Sequence, residues 1–469
     1  SFCRTLFSAN EFLFVDDSPD TPIALRMSAM HQSSLCRRQL LRCTAGGIGS
    51  LALAGLLADE AAAAAAIGPL VPKPGHHPAR AKSVIFLYMT GGVSHVESFD
   101  YKPRLIADHG KKITTPHWGQ KPGAYERFLI KPHWGFAPGG RSGIYVSDLF
   151  PHTRGIVDEL CVINSMHSSH TNHYEATLET HTGSFTFARP SIGSWVSYGL
   201  GTENQNLPSF VAIAPQSPYA GSQTWGNDFL PGCHQGTHIS PGPVPVANMN
   251  RRAVSPALQE LELERLAVMN RRHADQRELD AALEARIRSF ETAFGMQTEA
   301  PEVFDLSSET AETLALYGLK PGQTTGFGWQ CLIARRLAER GVRFIELIDV
   351  GSANNWDAHG DMKTHEPLAK NVDQAMAGLV LDLKQRGMLD ETLVVWTTEF
   401  GRTPYHTQAD HRGREHHHQG YSSWLAGGGV KAGMVYGKTD EYGSAAVEHR
   451  MHVHDFHATI LHLLGLDHE

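Results

Sequence analysis

Histidines and carboxylates that could bind a metal stand at three places in this chain of 469 residues, which contains 28 histidines. In the segment WDAHGD, Asp357 and His359 lie two residues apart, and Glu399 opens the segment EFGRTP. A histidine-rich run from Asp410 to Gly420 carries the imidazoles of His411, His416, His417 and His418. Carboxylate and imidazole ligands together suit zinc or manganese. The three segments therefore predict a divalent metal site, with a merely solvated histidine loop as the alternative for the third.

A further group of candidate residues lies at the start of a predicted helix. The segment HYEATLETHTG has helical character from Tyr174 onward, so Thr171, Asn172 and His173 fall around its first turn. Free N–H groups and the positive end of the helix dipole favour an anionic phosphate or sulfate at such a place. The alternative is that Thr171 or Asn172 only caps the helix.

The predicted elements bring these segments to one edge of a sheet. The continuous apolar run from Ser83 to Met89 is typical of a strand buried on both faces, and it ends at Thr90-Gly91-Gly92. Later in the chain we predict a helix, a strand, a long helix and a strand in the order Trp329 to Arg340, Val342 to Val350, His365 to Arg386 and Thr392 to Thr398. Such a unit is a parallel crossover, so the class is α/β and ligands are expected at the carboxyl ends of the strands.

Composition and charge argue against a nucleic-acid-binding protein and against a disulfide framework. The net charge of −8 gives no basic footprint for nucleic acid. The segment Arg252 to Gln297 is rich in Glu, Arg, Leu and Ala and is interpreted as a charged helical insertion that packs on the domain. Only Cys161, Cys233 and Cys331 follow the first 66 residues, and their wide spacing argues against a disulfide framework.

The first 66 residues are interpreted as upstream residues followed by a twin-arginine signal peptide. Arg37 and Arg38 precede an apolar stretch from Ala45 to Leu57 and an alanine run from Ala61 to Ala66. A short membrane anchor is the alternative, and no later stretch is long enough to span a bilayer. A linker over 67–80 and one domain over 81–469 would follow. We therefore predict a periplasmic or secreted protein that is carried by the twin-arginine translocase.

The motifs taken together resemble a known family. They are KSVIFLYMTGGVSHVESFDYKP, HYEATLETHTG with RPSIGSWVSYGLG, LPSFVAI, CLIARRLAERGVRFIEL, WDAHGD, VVWTTEFGRTP and LAGGGVKAGMVYGKTD. With the leader, this set resembles the exported, sulfatase-like domain-of-unknown-function family of the alkaline-phosphatase superfamily. The resemblance implies an α/β/α sandwich with a mostly parallel central sheet. Members commonly continue beyond the final LLGLDHE, so we expect a truncated C-terminus.

The resemblance also implies roles for individual residues. Where the superfamily has an Asp ligand after its first strand, this chain has Thr90-Gly91-Gly92, and His95, Glu97 or Asp100 would have to substitute. Glu399-Phe400 stands where an Asp-His pair is expected. Asp357 with His359 resembles the preceding Asp and His ligands, and His416 or His417 resembles the last histidine ligand.

The expected activity follows from those roles. The superfamily hydrolyses phosphate or sulfate esters at one or two metals, here zinc, manganese or calcium. Because no Cys-x-Pro-x-Arg sulfatase signature is present, the chemistry would use Thr171, His173 or a metal-activated water, and Arg402 would clamp the anion. The substrate would be an anionic ester, such as a sulfated or phosphorylated polysaccharide. The alternative is a non-catalytic relative that binds such a glycan or acts in an envelope assembly.

Overall fold

The computed structural model describes residues 70–116, 124–246, 255–274 and 281–468. The predicted signal peptide and the first residues of the predicted linker therefore lie outside the described residues. The α-helices of the described part are α1 Pro103–Ala107, α2 Pro151–Arg154, α3 His173–Thr182, α4 Ile192–Leu200, α5 Pro256–Ala274, α6 Ala281–Phe304, α7 Ala311–Leu316, α8 Phe327–Glu339, α9 His365–Gln385 and α10 Val453–Leu463. None of them is long and apolar enough to span a membrane.

The strands belong to one large sheet and several small ones. The large sheet has nine strands, which are β1 Ser83–Met89, β6 Leu160–His167, β7 Phe210–Ile213, β8 Thr237–Ile239, β9 Phe344–Ile348, β10 Thr392–Thr398, β14 Tyr421–Ala426, β15 Met434–Tyr436 and β18 Met451–His452. The small sheets contain β2 Lys112–Pro116, β3 Ala124–Leu129, β4 Phe136–Gly139, β5 Ile144–Ser147, β11 Gly401–Arg402, β12 Tyr405–His406, β13 His416–His417, β16 Lys438–Thr439 and β17 Ala446–Glu448.

The large sheet is mixed but mostly parallel, which confirms the predicted α/β class. Its order is β15-β6-β14-β10-β1-β9-β7-β8, with β18 also pairing with β6. Strands β10, β1, β9, β7 and β8 are parallel neighbours, whereas β14 runs antiparallel to both β10 and β6. The carboxyl ends of β1, β9 and β10 therefore lie side by side.

Helices cover both faces of this sheet because its central strands are apolar on both sides. On β1, Ile85 and Leu87 belong to one buried cluster and Val84 and Phe86 to another. The first cluster contains residues of α8 and α9, and the second contains residues of α4 and α10. A period of two along a fully buried strand sends successive side chains into different cores. The result is the three-layered sandwich that the sequence predicts.

Candidate metal centre

Three imidazole rings point their Nε2 atoms at the carboxylate of Asp357, which lies in the loop between β9 and α9. Asp357 Oδ1 is 3.0 Å from His359 Nε2 and 3.2 Å from His416 Nε2. Asp357 Oδ2 is 3.3 Å from Nε2 of His173, the first residue of α3. His359 Nε2 and His416 Nε2 are 3.0 Å from each other. The structure thus brings together four sequence-predicted residues from three separate segments.

Each of the three rings is held in place through its other nitrogen. The Nδ1–H of His173 donates to Glu399 at 2.7 Å, that of His416 to the Thr171 carbonyl at 2.7 Å, and that of His359 to Glu415 at 2.9 Å. Since carboxylates and carbonyls only accept, Nδ1 of each ring carries a proton, which leaves Nε2 as the atom that can bind a metal ion. Histidines that bind a metal characteristically donate their second N–H to such an acceptor.

The donor atoms fit a divalent metal ion. His173 Nε2 is buried and has no hydrogen-bond partner, although it lies close to Asp357. Ligand atoms at about 2.0–2.1 Å from a tetrahedral zinc are separated by roughly 3.3 Å, close to the spacing described above. Ligand atoms of His173, Asp357 and His416 all lie within 4.8 Å of one another. In the metal-free protein the contact between His359 Nε2 and His416 Nε2 requires a proton on one of the two atoms, and a bound cation would take the place of that proton.

Glu399, a predicted direct ligand, is separated from Asp357 by the imidazole ring of His173. It is fully buried, and Oε1 accepts from the Gly91 N–H at 2.8 Å as well as from His173. Tyr88 donates its hydroxyl to Oε2 at 3.0 Å. Although burial alone raises the pKa of Glu399, the hydrogen bond and charge of His173 hold it below its usual value. Because the His173 ring separates the two carboxylates, we infer that Glu399 orients a ligand instead of serving as one.

The segment Thr90-Gly91-Gly92, which replaces the Asp expected from the resemblance, has a steric reason to be glycine-rich. Gly91 and Gly92 have φ of 112° and 76°, a region that favours glycine. A Cβ would lie 2.7 Å from Asn355 Oδ1 at Gly91 and 2.6 Å from the Phe400 ring at Gly92. This close approach allows the Gly91 N–H to reach Glu399.

Arg402, the predicted anion clamp, is fully buried. Its guanidinium donates to the carbonyls of Gly91 and Gly92 and, at 2.7 Å, to Asp357 Oδ1. With these bonds made and no exposed surface, the guanidinium is not placed to contact a substrate. We infer that Arg402 positions Asp357 and the glycine turn.

His417 and His95, two further predicted ligands, face other partners. On β13 adjacent side chains point to opposite sides, so His417 points away when His416 faces Asp357. His417 Nε2 donates to the Ser444 carbonyl, and His95 Nε2 donates to the Gly443 carbonyl at 2.8 Å. The described contacts place neither ring beside Asp357.

The start of α3 differs in detail from the expectation for Thr171. Asn172 is the N-cap, and its side chain accepts from the Tyr174 N–H at 3.0 Å. Thr171 contributes its backbone carbonyl to His416 and not its hydroxyl to the helix. His173 begins the helix, so the positive end of the helix dipole lies at the Asp357 carboxylate.

Three neighbours of the centre were missed by sequence reasoning. Glu415 directly precedes His416, and its place in the histidine-rich run was the only signal. Phe400 packs against both His173 and His416, with ring centroids 4.9 and 4.7 Å away. Tyr219 stacks on His173 at 4.3 Å with an interplanar angle of 10°, and Asn355 donates to its hydroxyl at 3.0 Å. No motif marks Tyr219.

The charges of the centre are strongly coupled. Burial alone raises the pKa of Asp357, but its contacts with His173, His359 and His416 and the charge of Arg402 hold it well below its usual range. Hydrogen bonds to Asp357 and Glu415 raise the pKa of His359 to about 9. Burial lowers the pKa of His416 despite its contact with Asp357. In the metal-free protein His359 therefore holds a proton at neutral pH. Burial alone lowers the pKa of His173, but its hydrogen bonds with Asp357 and Glu399 raise it above its usual value.

The raised pKa of His359 predicts a pH dependence of the metal-free protein. A pKa that rises from 6.5 to about 9 on folding contributes stability that is fully present below pH 6.5 and is lost as the pH rises towards 9. We expect the free energy of unfolding of the metal-free protein to fall across this window and the fall to be smaller in His359→Gln. Urea unfolding at several pH values in the presence of a chelator measures both. An identical fall in the two proteins would contradict the assignment.

The comparisons with known proteins identify a family and a set of solved structures that are distantly similar to this chain. The family model described as protein of unknown function (DUF1501) matches residues 81–469. No curated protein matches the sequence. Similar solved structures include the lipoteichoic acid synthase LtaP from Listeria monocytogenes (10% identity, TM-score 0.37, 85% of this chain and 76% of that one). They also include the PsFucS1 sulfatase from Pseudoalteromonas sp. (14%, 0.34, 82% and 68%) and alkaline phosphatase from the Antarctic bacterium TAB5 (11%, 0.33, 82% and 98%).

Proposed function

Because this chain belongs to the DUF1501 family of proteins of unknown function, its activity has to be inferred from its site, and we propose that it is a metal-dependent hydrolase of phosphate or sulfate esters. The observation that carries the proposal is the convergence of His173, His359 and His416 on Asp357, each ring with its second nitrogen anchored. A centre that only packed the fold would not need three anchored imidazoles to converge on one carboxylate.

The metal would be held by Asp357, His173, His359 and His416. When bound, a divalent ion supplies Lewis acidity and charge stabilisation for an ester oxygen. Asp357, His359 and His416 are partly exposed, so an ester can approach from the solvent side. The first turn of α3 turns its positive dipole end to the same place, which favours an anionic group there.

His173 changes its expected role in this proposal. The sequence alone suggested a nucleophile or a proton donor. Its Nδ1–H is committed to Glu399 and its Nε2 faces Asp357, so we assign it as a ligand that binds through Nε2. Removal of the imidazole is then expected to weaken metal binding as well as hydrolysis. The nucleophile would be a water molecule delivered from the solvent side.

Glu399, which anchors the ring of His173, allows a test of the metal centre. We expect Glu399→Gln to weaken zinc affinity by ~10–100-fold, because the carboxylate that fixes the tautomer of the ring is lost. Glu415→Gln is the matched control, since it makes the same change at the half-exposed partner of His359 and water can replace that bond. Competition titration with a zinc chelator measures both affinities. Equal losses in the two variants, or none in Glu399→Gln, would contradict the proposed arrangement.

The activity itself is tested with a substrate panel. Protein loaded with zinc, manganese or calcium is assayed on aryl phosphates, phosphodiesters, aryl sulfates and sulfated oligosaccharides. The proposal requires turnover of at least one ester class that is lost on chelation and restored by metal. Metal binding without turnover of any ester would reject the hydrolase.

One observation favours the second candidate function, a protein that binds an anionic glycan without cleaving it. Arg402, the cation that contacts Asp357, is buried and bound to backbone carbonyls, so it offers no charge to a reacting ester. Under this alternative, a sulfated or phosphorylated oligosaccharide binds in a metal-dependent way and is recovered unchanged.

We also propose that the protein acts in the periplasm or outside the cell, on the basis of the leader sequence alone. Replacement of Arg37 and Arg38 by Lys is expected to trap the precursor in the cytoplasm, because the twin-arginine route reads that pair. Cell fractionation followed by immunoblotting measures it. Normal export of the double variant would contradict the proposed route.

A further inference from the structure

A second group of ligand-type side chains lies between α3 and the start of α10, in residues that the proposed hydrolase does not use. This group, here called the Glu179 cluster, consists of Ser169, Glu179, His452 and His454. Glu179 lies on α3, His452 ends β18 and caps α10, and His454 lies in the first turn of α10. Ligand atoms of Glu179, His452 and His454 all lie within 4.8 Å of one another.

Glu179 is a buried carboxylate whose charged neighbours are histidines. Its side chain is 1% exposed. Oε2 accepts from the Ser169 N–H at 2.9 Å and Oε1 from the Ser169 hydroxyl at 2.6 Å, while His452 Nε2 lies 3.5 Å from Oε1. The described contacts of Glu179 include no Lys or Arg. A buried carboxylate without a permanent cation is costly, and a divalent ion would supply the missing charge.

The two imidazoles can present lone pairs to such an ion. His454 Nε2 donates to the Gly183 carbonyl at 2.6 Å, so its Nδ1 carries the lone pair, and the carbonyl fixes the ring as an outer partner does in metal sites. His452 Nε2 lies 3.1 Å from the Ser169 hydroxyl. Its Nδ1 accepts the His454 N–H at a long 3.3 Å. Ligation through Nε2 moves the ring proton to Nδ1 and gives up this cap bond and the hydrogen bond between Nε2 and the Ser169 hydroxyl.

We propose that the Glu179 cluster is a second metal site, with Glu179, His452 and His454 as ligands to zinc. Two imidazoles and a carboxylate are a zinc donor set. The site would be structural, because it would link the β18–α10 corner to α3, the helix that begins with His173. It is separate from the Asp357 centre in all of its ligands, and it does not require that centre to be catalytic.

The test is the zinc stoichiometry of the folded protein after dialysis, measured by elemental analysis. We expect two zinc ions per chain in the wild type, one in Glu179→Gln, one in Asp357→Asn and none in the double variant. Glu366→Gln, the same change at an exposed position of α9, is the control and should keep two. Zinc added to metal-free Asp357→Asn should still raise its melting temperature, and zinc added to the double variant should not.

Two zinc ions retained by Glu179→Gln would overturn the second site. A wild type that holds a single ion, and loses it in Asp357→Asn, would also overturn the second site. A single ion that is lost only in Glu179→Gln would instead contradict the proposed function. If Glu179→Gln does not fold, His454→Gln serves in its place, because a glutamine amide can still donate to Gly183 but offers no imidazole lone pair. Two ions in that variant would reject the site as well.

Discussion

Replacing Asp357 with Asn is expected to abolish both zinc retention at its centre and ester hydrolysis. The carboxylate is the shared contact of three imidazoles, so its loss should cost more than the ~10–100-fold that follows removal of an outer partner. Asn keeps the shape and still offers an oxygen to Arg402, which limits damage to the fold. Zinc content and initial rates on the ester panel measure the two effects.

The matched control for this variant is Asp361→Asn. Asp361 lies four residues further along the same loop, and its carboxylate pairs with the half-exposed Arg412 at 3.1 Å, away from the imidazoles. Zinc retention and hydrolysis should stay at wild-type level in this control. Unchanged zinc content in Asp357→Asn would move the metal to another part of the chain.

Replacing Arg414 with Met is expected to give the largest loss of stability, about 3–5 kcal/mol, because it leaves the carboxylate of Glu97 buried without its main counter-charge. Both side chains are fully buried, and Arg414 Nε and Nη2 contact Glu97 Oε1 at 2.8 and 2.7 Å. Arg414 also donates to the carbonyls of Ile130, Lys131 and Thr403, so three further acceptors lose a donor. Urea unfolding of the metal-free proteins measures the change.

An exposed ion pair provides the comparison for Arg414. Lys112 contacts Glu126 at 3.1 Å with both side chains more than half exposed, so Lys112→Met should fall within the roughly 0–1 kcal/mol that surface pairs show. The double variant Arg414→Met with Glu97→Leu should regain part of the loss, since no buried charge remains. A loss in Arg414→Met no larger than in Lys112→Met would refute the assigned role of this pair.

The sequence predicted the three central strands β1, β9 and β10 well, because these strands are buried and apolar on both faces. The bounds of β1 and β10 agree with the predicted strands, and α9 begins at the predicted residue, His365. Runs of this kind depend on composition alone, so they can be read from one sequence. The proximity of their carboxyl ends follows from parallel pairing.

The directions in which the side chains point could not be predicted at the site. Asp357, His359, His173 and His416 were singled out and do come together, but the sequence placed Glu399 on the metal and Arg402 on the substrate. Adjacent side chains on β13 point to opposite sides, so only one of His416 and His417 can face Asp357. The sequence HHH does not indicate which of them does. The burial of Arg402 depends on two glycine carbonyls that only the folded turn presents. No sequence pattern joins His452 and His454 to Glu179, because Glu179 is far away from them in sequence.

The measurement that tests the central claim most directly is anomalous diffraction at the zinc edge from crystals grown with zinc. The proposed centre predicts a peak bonded to Asp357 and to the Nε2 atoms of His173, His359 and His416, at the ~2.0–2.2 Å typical of zinc with nitrogen and oxygen ligands. Crystals of Asp357→Asn grown in the same way should lack it. A wild-type map without a peak among these four side chains, at full zinc occupancy elsewhere, would contradict the account.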